Sequence, residues 1–205
     1  MKCTDAVACI MAAGHSTRFG GDKVFVKLGS RALASFPIQA VQHVDLPFGV
    51  VIRPDHRAAW ASLANKGTLL LNNRAETGLG SSIRIGAQWA YKIGAASVVF
   101  LLADMPLVSP QTIAKLATTG STGQRAGTKY PDACGVPAVF PRSDFCRLLS
   151  NGNHTATRVL LQEPSTRTIR IPEIELLDVD TPACLSRIES RLDKSANQGP
   201  VYNDL

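Results

Sequence analysis

The chain has 205 residues, 45% of them hydrophobic and 19% charged, with a formal net charge of +6. That composition excludes a disordered chain, and no run approaches the roughly 20 apolar residues that a membrane-spanning helix requires. Five scattered cysteines without a C-x-x-C pair exclude a disulfide framework and a zinc ribbon. The Lys and Arg residues are spread without a basic run and aromatics are few, which argues against a nucleic-acid binder and leaves a small anionic substrate to account for the charge.

Taken in chain order, residues 7–12 form the first continuous apolar run and lead into "AGHSTRFGGDK". An apolar run that ends in a glycine-rich basic loop is a buried strand and not a signal peptide, and the expected location is the cytoplasm. Residues 48–52, 68–71 and 97–103 are further short apolar runs, the last being "SVVFLLA". Between them, residues 33–44, 54–64 and 81–93 carry helical patterns. Continuous apolar strands alternating with helices predict a single-domain, Rossmann-like α/β fold with three α/β/α layers and a mostly parallel sheet. Ser109-Pro110 and Thr181-Pro182 are two helix starts of the same kind, N-cap followed by proline. After the second, Leu185, Ile188 and Leu192 fall on one helical face. In the less regular second half, residues 136–140 and 168–171 read as strands, and 144–149 and 155–162 as helices. One domain over residues 1–192 is expected, with 193–205 as a loose C-terminal tail.

Four stretches could carry chemistry. In the first loop, Gly14 and Gly20-Gly21 let the backbone approach a ligand, and Arg18 and Lys23 add cations. Neither G-x-x-x-x-G-K-[ST] nor G-x-G-x-x-G fits, so the loop is either a phosphate cradle at a strand's carboxyl end or a tight turn. In "LLADMPLV", Asp104 closes the most apolar strand and offers the oxygen donors Mg²⁺ prefers, or it serves the turn before Pro106. In "LLDVDTP", Asp178 and Asp180 alternate around Val179, either as metal ligands or with one of them helping to cap the next helix. In "ETGLGSSIRIG", Gly80, Ser81 and Ser82 open a helix whose N-terminus suits a base edge or a phosphate.

These four pieces, in this order, resemble the MobA-like NTP transferases that mature the molybdenum cofactor, most closely their cytidylyltransferase branch. "AAGHSTRFGGDK" matches A-A-G-x-S-x-R-M-G-x-x-K with Phe19 for Met; residues 78–86 match G-M-x-x-S-[LI]-x-x-G, Ala103 to Pro106 match A-D-M-P, and Asp178 to Pro182 match D-[IV]-D-T-P. The resemblance covers about residues 6–192. It implies that Ala12, Ala13 and Gly14 meet the base, with A-A-G favouring CTP where the guanylyl branch tends to G-G. It implies that Arg18 and Lys23 bind the triphosphate, that Gly80 and Ser81 lie near the base or ribose, and that Asp104, with Asp178 or Asp180, holds Mg²⁺. Arg18, Lys23 and Asp104 would be the catalytic set. The implied reaction joins CMP from CTP to molybdopterin and releases pyrophosphate, with a molybdenum hydroxylase as a downstream partner and neither nucleic acid nor membrane involved.

The acceptor half departs from the family. Gly135-Val136-Pro137 stands where relatives show G-H-P, and "GNHTATRVLL" where they show G-D-x-G-A-R, which leaves His154 and Arg158 as second-substrate residues. That departure keeps open another phosphate acceptor, GTP as donor, or a carrier of the finished cofactor.

Overall fold

The computed structural model describes residues 6–150 and 154–197, with backbone alone for 154–156 and 192–197. In chain order its elements are β1 (Ala6–Met11), the two-residue strands β2 (Lys27–Leu28) and β3 (Arg31–Ala32), α1 (Ser35–His43), β4 (Phe48–Ile52), α2 (Arg57–Leu63), β5 (Thr68–Leu71), α3 (Leu79–Lys92), β6 (Ser97–Leu102), α4 (Pro110–Ser121), β7 (Ala126–Lys129), β8 (Cys134–Pro141), α5 (Phe145–Ser150), α6 (His154–Gln162), β9 (Arg167–Ile169) and α7 (Pro182–Asn197). The expected α/β fold is present. Seven strands form one sheet in the order β5-β4-β1-β6-β8-β7-β9. Only β8 runs against its neighbours; the β5-β4-β1-β6 pairs and the β7-β9 pair are parallel.

Strand β1 lies in the middle and shows why its sequence is apolar at every position. Ala6, Ala8, Ile10 and Ala12 belong to the core on the face of α1 and α4, and Val7, Cys9, Met11 and Ala13 to the core on the face of α3. A strand covered on both faces has no solvent side to mark with polar residues. Gly86 on α3 permits close packing there, since a Cβ would lie 2.4 Å from the Cys9 sulfur. A third, smaller core gathers Leu28, Leu33, Val179 and Ile188, with Leu185 packed against it. It fastens the β2-β3 hairpin and α7 beneath the segment that carries Asp178 and Asp180.

Three features differ from expectation. Strand β7, "AGTK", has no apolar run; it is buried by its place between β8 and β9, not by its side chains. The β2-β3 ribbon is too short to show a period. Helix α7 continues to Asn197, so 193–197 extend the helix where a tail was expected, and 198–205 lie outside the described residues. Of the expected face of α7, Leu185 and Ile188 pack inward, and the side chain of Leu192 lies outside the described residues. Among the described residues no helix is long and apolar enough to cross a membrane.

Candidate active site

The carboxyl edge of the parallel strands carries a cavity of about 430 Å³. Its floor is the end of β1 with Ala12, Ala13 and Gly14. Ala12 N–H still follows the sheet, donating to Val51 O at 2.9 Å, and beyond it the chain leaves the ladder. Among the described residues, the backbone N–H groups from Ala13 to Arg18 have no protein acceptor, so they remain for a ligand. A Cβ built on Gly14, Gly20 or Gly21 meets nothing within 4 Å. Gly20 sits at φ +83°, a conformation that favours glycine.

The cavity spans β1. On the β6 side stand Lys23, Asp104 and Asp180; on the other stand Glu76, Gly78, Leu79 and Ser82, from the segment after β5 and the first turn of α3. Lys23 is 9% exposed. Its ammonium lies 2.6 Å from Asp104 Oδ2 and 3.0 Å from Asp180 Oδ1. Burial alone would push this ammonium down, but the two carboxylates outweigh it and hold it above the ordinary lysine range. Arg18 is largely exposed and donates from Nη1 to Asp180 Oδ2 at 2.9 Å. Lys23 and then Arg18 hold the Asp180 carboxyl below the usual range, against its burial.

The aspartates come together because the segment 178–180 docks on the end of β6: Val179 N–H donates to Asp104 O at 2.9 Å. Val179 is fully buried, so its two neighbours point outward on the same side, as alternation predicts. Asp178 does not line the cavity. Its carboxyl is pushed up, first by burial and then by the charges of Asp180 and Asp104.

Asp104 Oδ1 is buried without a hydrogen-bond partner. An unpartnered carboxylate oxygen beside a second carboxylate is a donor set that fits a hard divalent cation completed by phosphate oxygens. Among the described residues no group of three or more His, Cys, Asp or Glu side chains forms a self-sufficient metal cage. The residues therefore fit a cation brought in with a polyphosphate better than one held by protein alone.

The helical phase of α3 sets which of its first residues face the cavity. Gly80 and Ser81 do not line the cavity; Leu79 and Ser82, three residues apart on one face, do. Ser81 turns the other way, donating to Gly78 O at 2.8 Å and accepting from Asn72 Nδ2 at 2.8 Å. Asn72, 1% exposed, also donates to Ser82 Oγ at 3.0 Å. Ser82 Oγ thus accepts from Asn72 at the cavity wall. The sequence named the right turn, and a helical projection from Gly78 would have selected Ser82.

Arg53, at the end of β4, was not foreseen. Its guanidinium pairs with Asp22 Oδ1 at 2.9 Å and reaches Gly14 O at 3.5 Å, so it ties the two ends of the glycine loop together. Arg53 is largely buried, and nothing in its local sequence sets it apart from the exposed arginines. Of the expected second-substrate residues, Arg158 is exposed on α6 and does not line this cavity, and the side chain of His154 lies outside the described residues.

Known proteins share the fold and much of the sequence length. A molybdenum cofactor guanylyltransferase from Cereibacter sphaeroides is 26% identical over 191 residues, covering 91% of this chain and 97% of that protein. The crystal structure of Rv0371c from Mycobacterium tuberculosis superimposes with a TM-score of 0.78 at 22% identity, covering 93% of this chain and all of that one. A complex of Rv0371c with manganese gives 0.74 at 19% identity, covering 91% of this chain and 99% of that one. Residues 8–168 match the family described as MobA-like NTP transferase domain. The chain belongs to that family and is a nucleotidyltransferase.

Proposed function

We propose that the protein transfers the nucleotidyl group of CTP to a molybdopterin-type acceptor with release of pyrophosphate, in the cytoplasm, ahead of delivery to a molybdenum hydroxylase. The observation that carries this is the buried cation Lys23, joining Asp104 to Asp180 beside the open N–H groups of the glycine loop. An acceptor phosphate oxygen attacks the α-phosphorus of the nucleotide in line. The new P–O bond forms as the bond from the α-phosphorus to the bridging oxygen breaks, and the electron pair leaves on pyrophosphate. Such a transfer needs positioning and charge neutralisation more than covalent work by the protein.

Each residue has a physical task in that reading. The N–H groups from Ala13 to Arg18 and the Lys23 and Arg18 cations receive the phosphates. Lys23 also fixes the two carboxylates in place before substrate arrives. Asp104 and Asp180 would hold Mg²⁺, with Asp178 nearby, and the ion would neutralise charge developing on the phosphates. Ser82 and Glu76 then face the base or ribose at the other end of the cavity.

The Ala12-Ala13-Gly14 motif supports CTP. A second reading, GTP as donor, is supported by the guanylyltransferase relative that covers 91% of the chain. A pyrophosphate-release assay with CTP and GTP compared, with and without molybdopterin and Mg²⁺, tests both. Release that requires molybdopterin and prefers CTP is expected. Preference for GTP would replace the donor, and no release with any pairing would remove the transferase reading for these substrates.

A further inference from the structure

The same sheet edge continues past the aspartates. Because β8 is antiparallel, the β7-β8 turn opens at the edge where β6 ends, and β9, parallel to β7, ends there too. A second recess of about 570 Å³ lies at this place, lined by Lys129, Tyr130, Asp132, Cys134, Thr168 and Arg170 among others. The register puts its polar groups on one face. Lys129 pairs with Cys134, Gly127 with Thr168 and Thr128 with Ile169, so Arg170 follows opposite Lys129. Ile169, between Thr168 and Arg170, points the other way and is buried.

Neither Lys129 nor Arg170 has a carboxylate within ion-pair distance among the described residues; several other exposed cations share this, but these two line one recess. Asp132 is the one acid on the rim. Tyr130 lines the recess, and its hydroxyl donates to Val136 O at 2.6 Å. Helix α6 leads directly into β9, and Arg125 grips its C-terminal end through Leu160 O. The N-terminus of α6 therefore also faces this edge.

We propose that Lys129 and Arg170 bind the phosphate monoester of the acceptor. The donor nucleotide then occupies the β5-to-β6 part of the edge and the acceptor the β7-to-β9 part, with the aspartates between them. A monoester carries close to two negative charges at neutral pH, and an arginine fork beside a lysine is a matched pair of donors for it. This assignment rests on the transferase reading above. It moves the acceptor's anchor from Arg158 to strands β7 and β9.

The test is a calorimetric titration of phenyl phosphate into the full chain, with Mg²⁺ and pyrophosphate present to fill the Arg18 and Lys23 end. Lys129→Ala and Arg170→Ala should each weaken binding at least tenfold, the double variant should abolish it, and Arg170→Lys should restore part. Both positions are exposed, and unchanged melting temperatures verify that the four variants fold. In turnover, KM for molybdopterin should rise at least tenfold in each alanine variant, with KM for the nucleotide unchanged. Binding of phenyl phosphate by the double variant as by the original chain, or no binding by the original chain, overturns the recess. If molybdopterin is never a substrate but phenyl phosphate binding still depends on Lys129 and Arg170, the acceptor's identity falls and the recess stands. If molybdopterin turns over with unchanged KM in the double variant, the transferase reading stands and the recess falls.

Discussion

Lys23→Met tests the centre of the site. The substitution keeps most of the side-chain volume and removes the ammonium that lies 2.6 Å and 3.0 Å from two carboxylate oxygens. At an effective dielectric near 20, each contact is worth about 6 kcal/mol of gross attraction. Desolvation offsets much of that, and losing one partner of a buried pair costs about 3–5 kcal/mol. Asp180 is 36% exposed at its side chain and can turn to water, so the lower end, about 3 kcal/mol, is expected. For a domain of this size that lowers Tm by roughly 6–12 °C. The same cation is missing when the triphosphate arrives, and a loss of about 3 kcal/mol there slows nucleotidyl transfer roughly a hundredfold. Urea denaturation and pyrophosphate release on the same preparation give both numbers. Adding Asp180→Asn should recover part of the stability and none of the turnover. A Lys23→Met protein with unchanged Tm and full turnover would refute the reasoning.

Ser82→Ala should raise KM for the nucleotide several-fold and cost about 1–3 kcal/mol of stability, read by steady-state kinetics and denaturant titration, because it removes a hydroxyl from the cavity wall and leaves one N–H of buried Asn72 without its acceptor. Gly86→Ala should cost about 1–3 kcal/mol by overpacking, since its Cβ would meet the Cys9 sulfur at 2.4 Å and the Phe100 ring at 2.7 Å; denaturant titration measures it. Glu163 is held down to about 2 by Arg147 and then Arg125, against burial. A lowered carboxyl stabilises the fold above its unfolded value and loses that contribution as pH falls. The Tm of the original chain should therefore drop between about pH 4.5 and 2 more steeply than that of Glu163→Gln, and parallel acid limbs would count against the pairing.

Much of the donor half was legible in the sequence. Strands β4 and β5 coincide with their apolar runs, and Arg18, Lys23, Asp104 and Asp180 do meet. Local signals sufficed there because a strand buried on both faces is apolar throughout and its carboxyl end is marked by glycine or aspartate. Gly80 and Ser81 do not line the cavity, whereas Leu79 and Ser82 do, because rotating 100° per residue changes the wall a side chain faces, and a turn motif does not carry that phase. Strand β7 escaped because its burial comes from its neighbours. Lys23 as the partner of two distant aspartates could not be read either, since the docking of Val179 on β6 is a tertiary event spanning 75 residues of chain.

The reversed strand β8 has a consequence for how such a protein can change. Because β7 and β8 are joined by a tight turn at the working edge, substitutions or small insertions at 130–133 alter one rim of the recess without moving a crossover helix. The donor cavity is built from an earlier stretch of chain, closed by a separate small core under Val179. The two specificities are thus separable by inheritance: one can drift while the other is held fixed. The departures around Val136 and His154, set against a well-matched glycine loop, are what a fold divided in this way would accumulate.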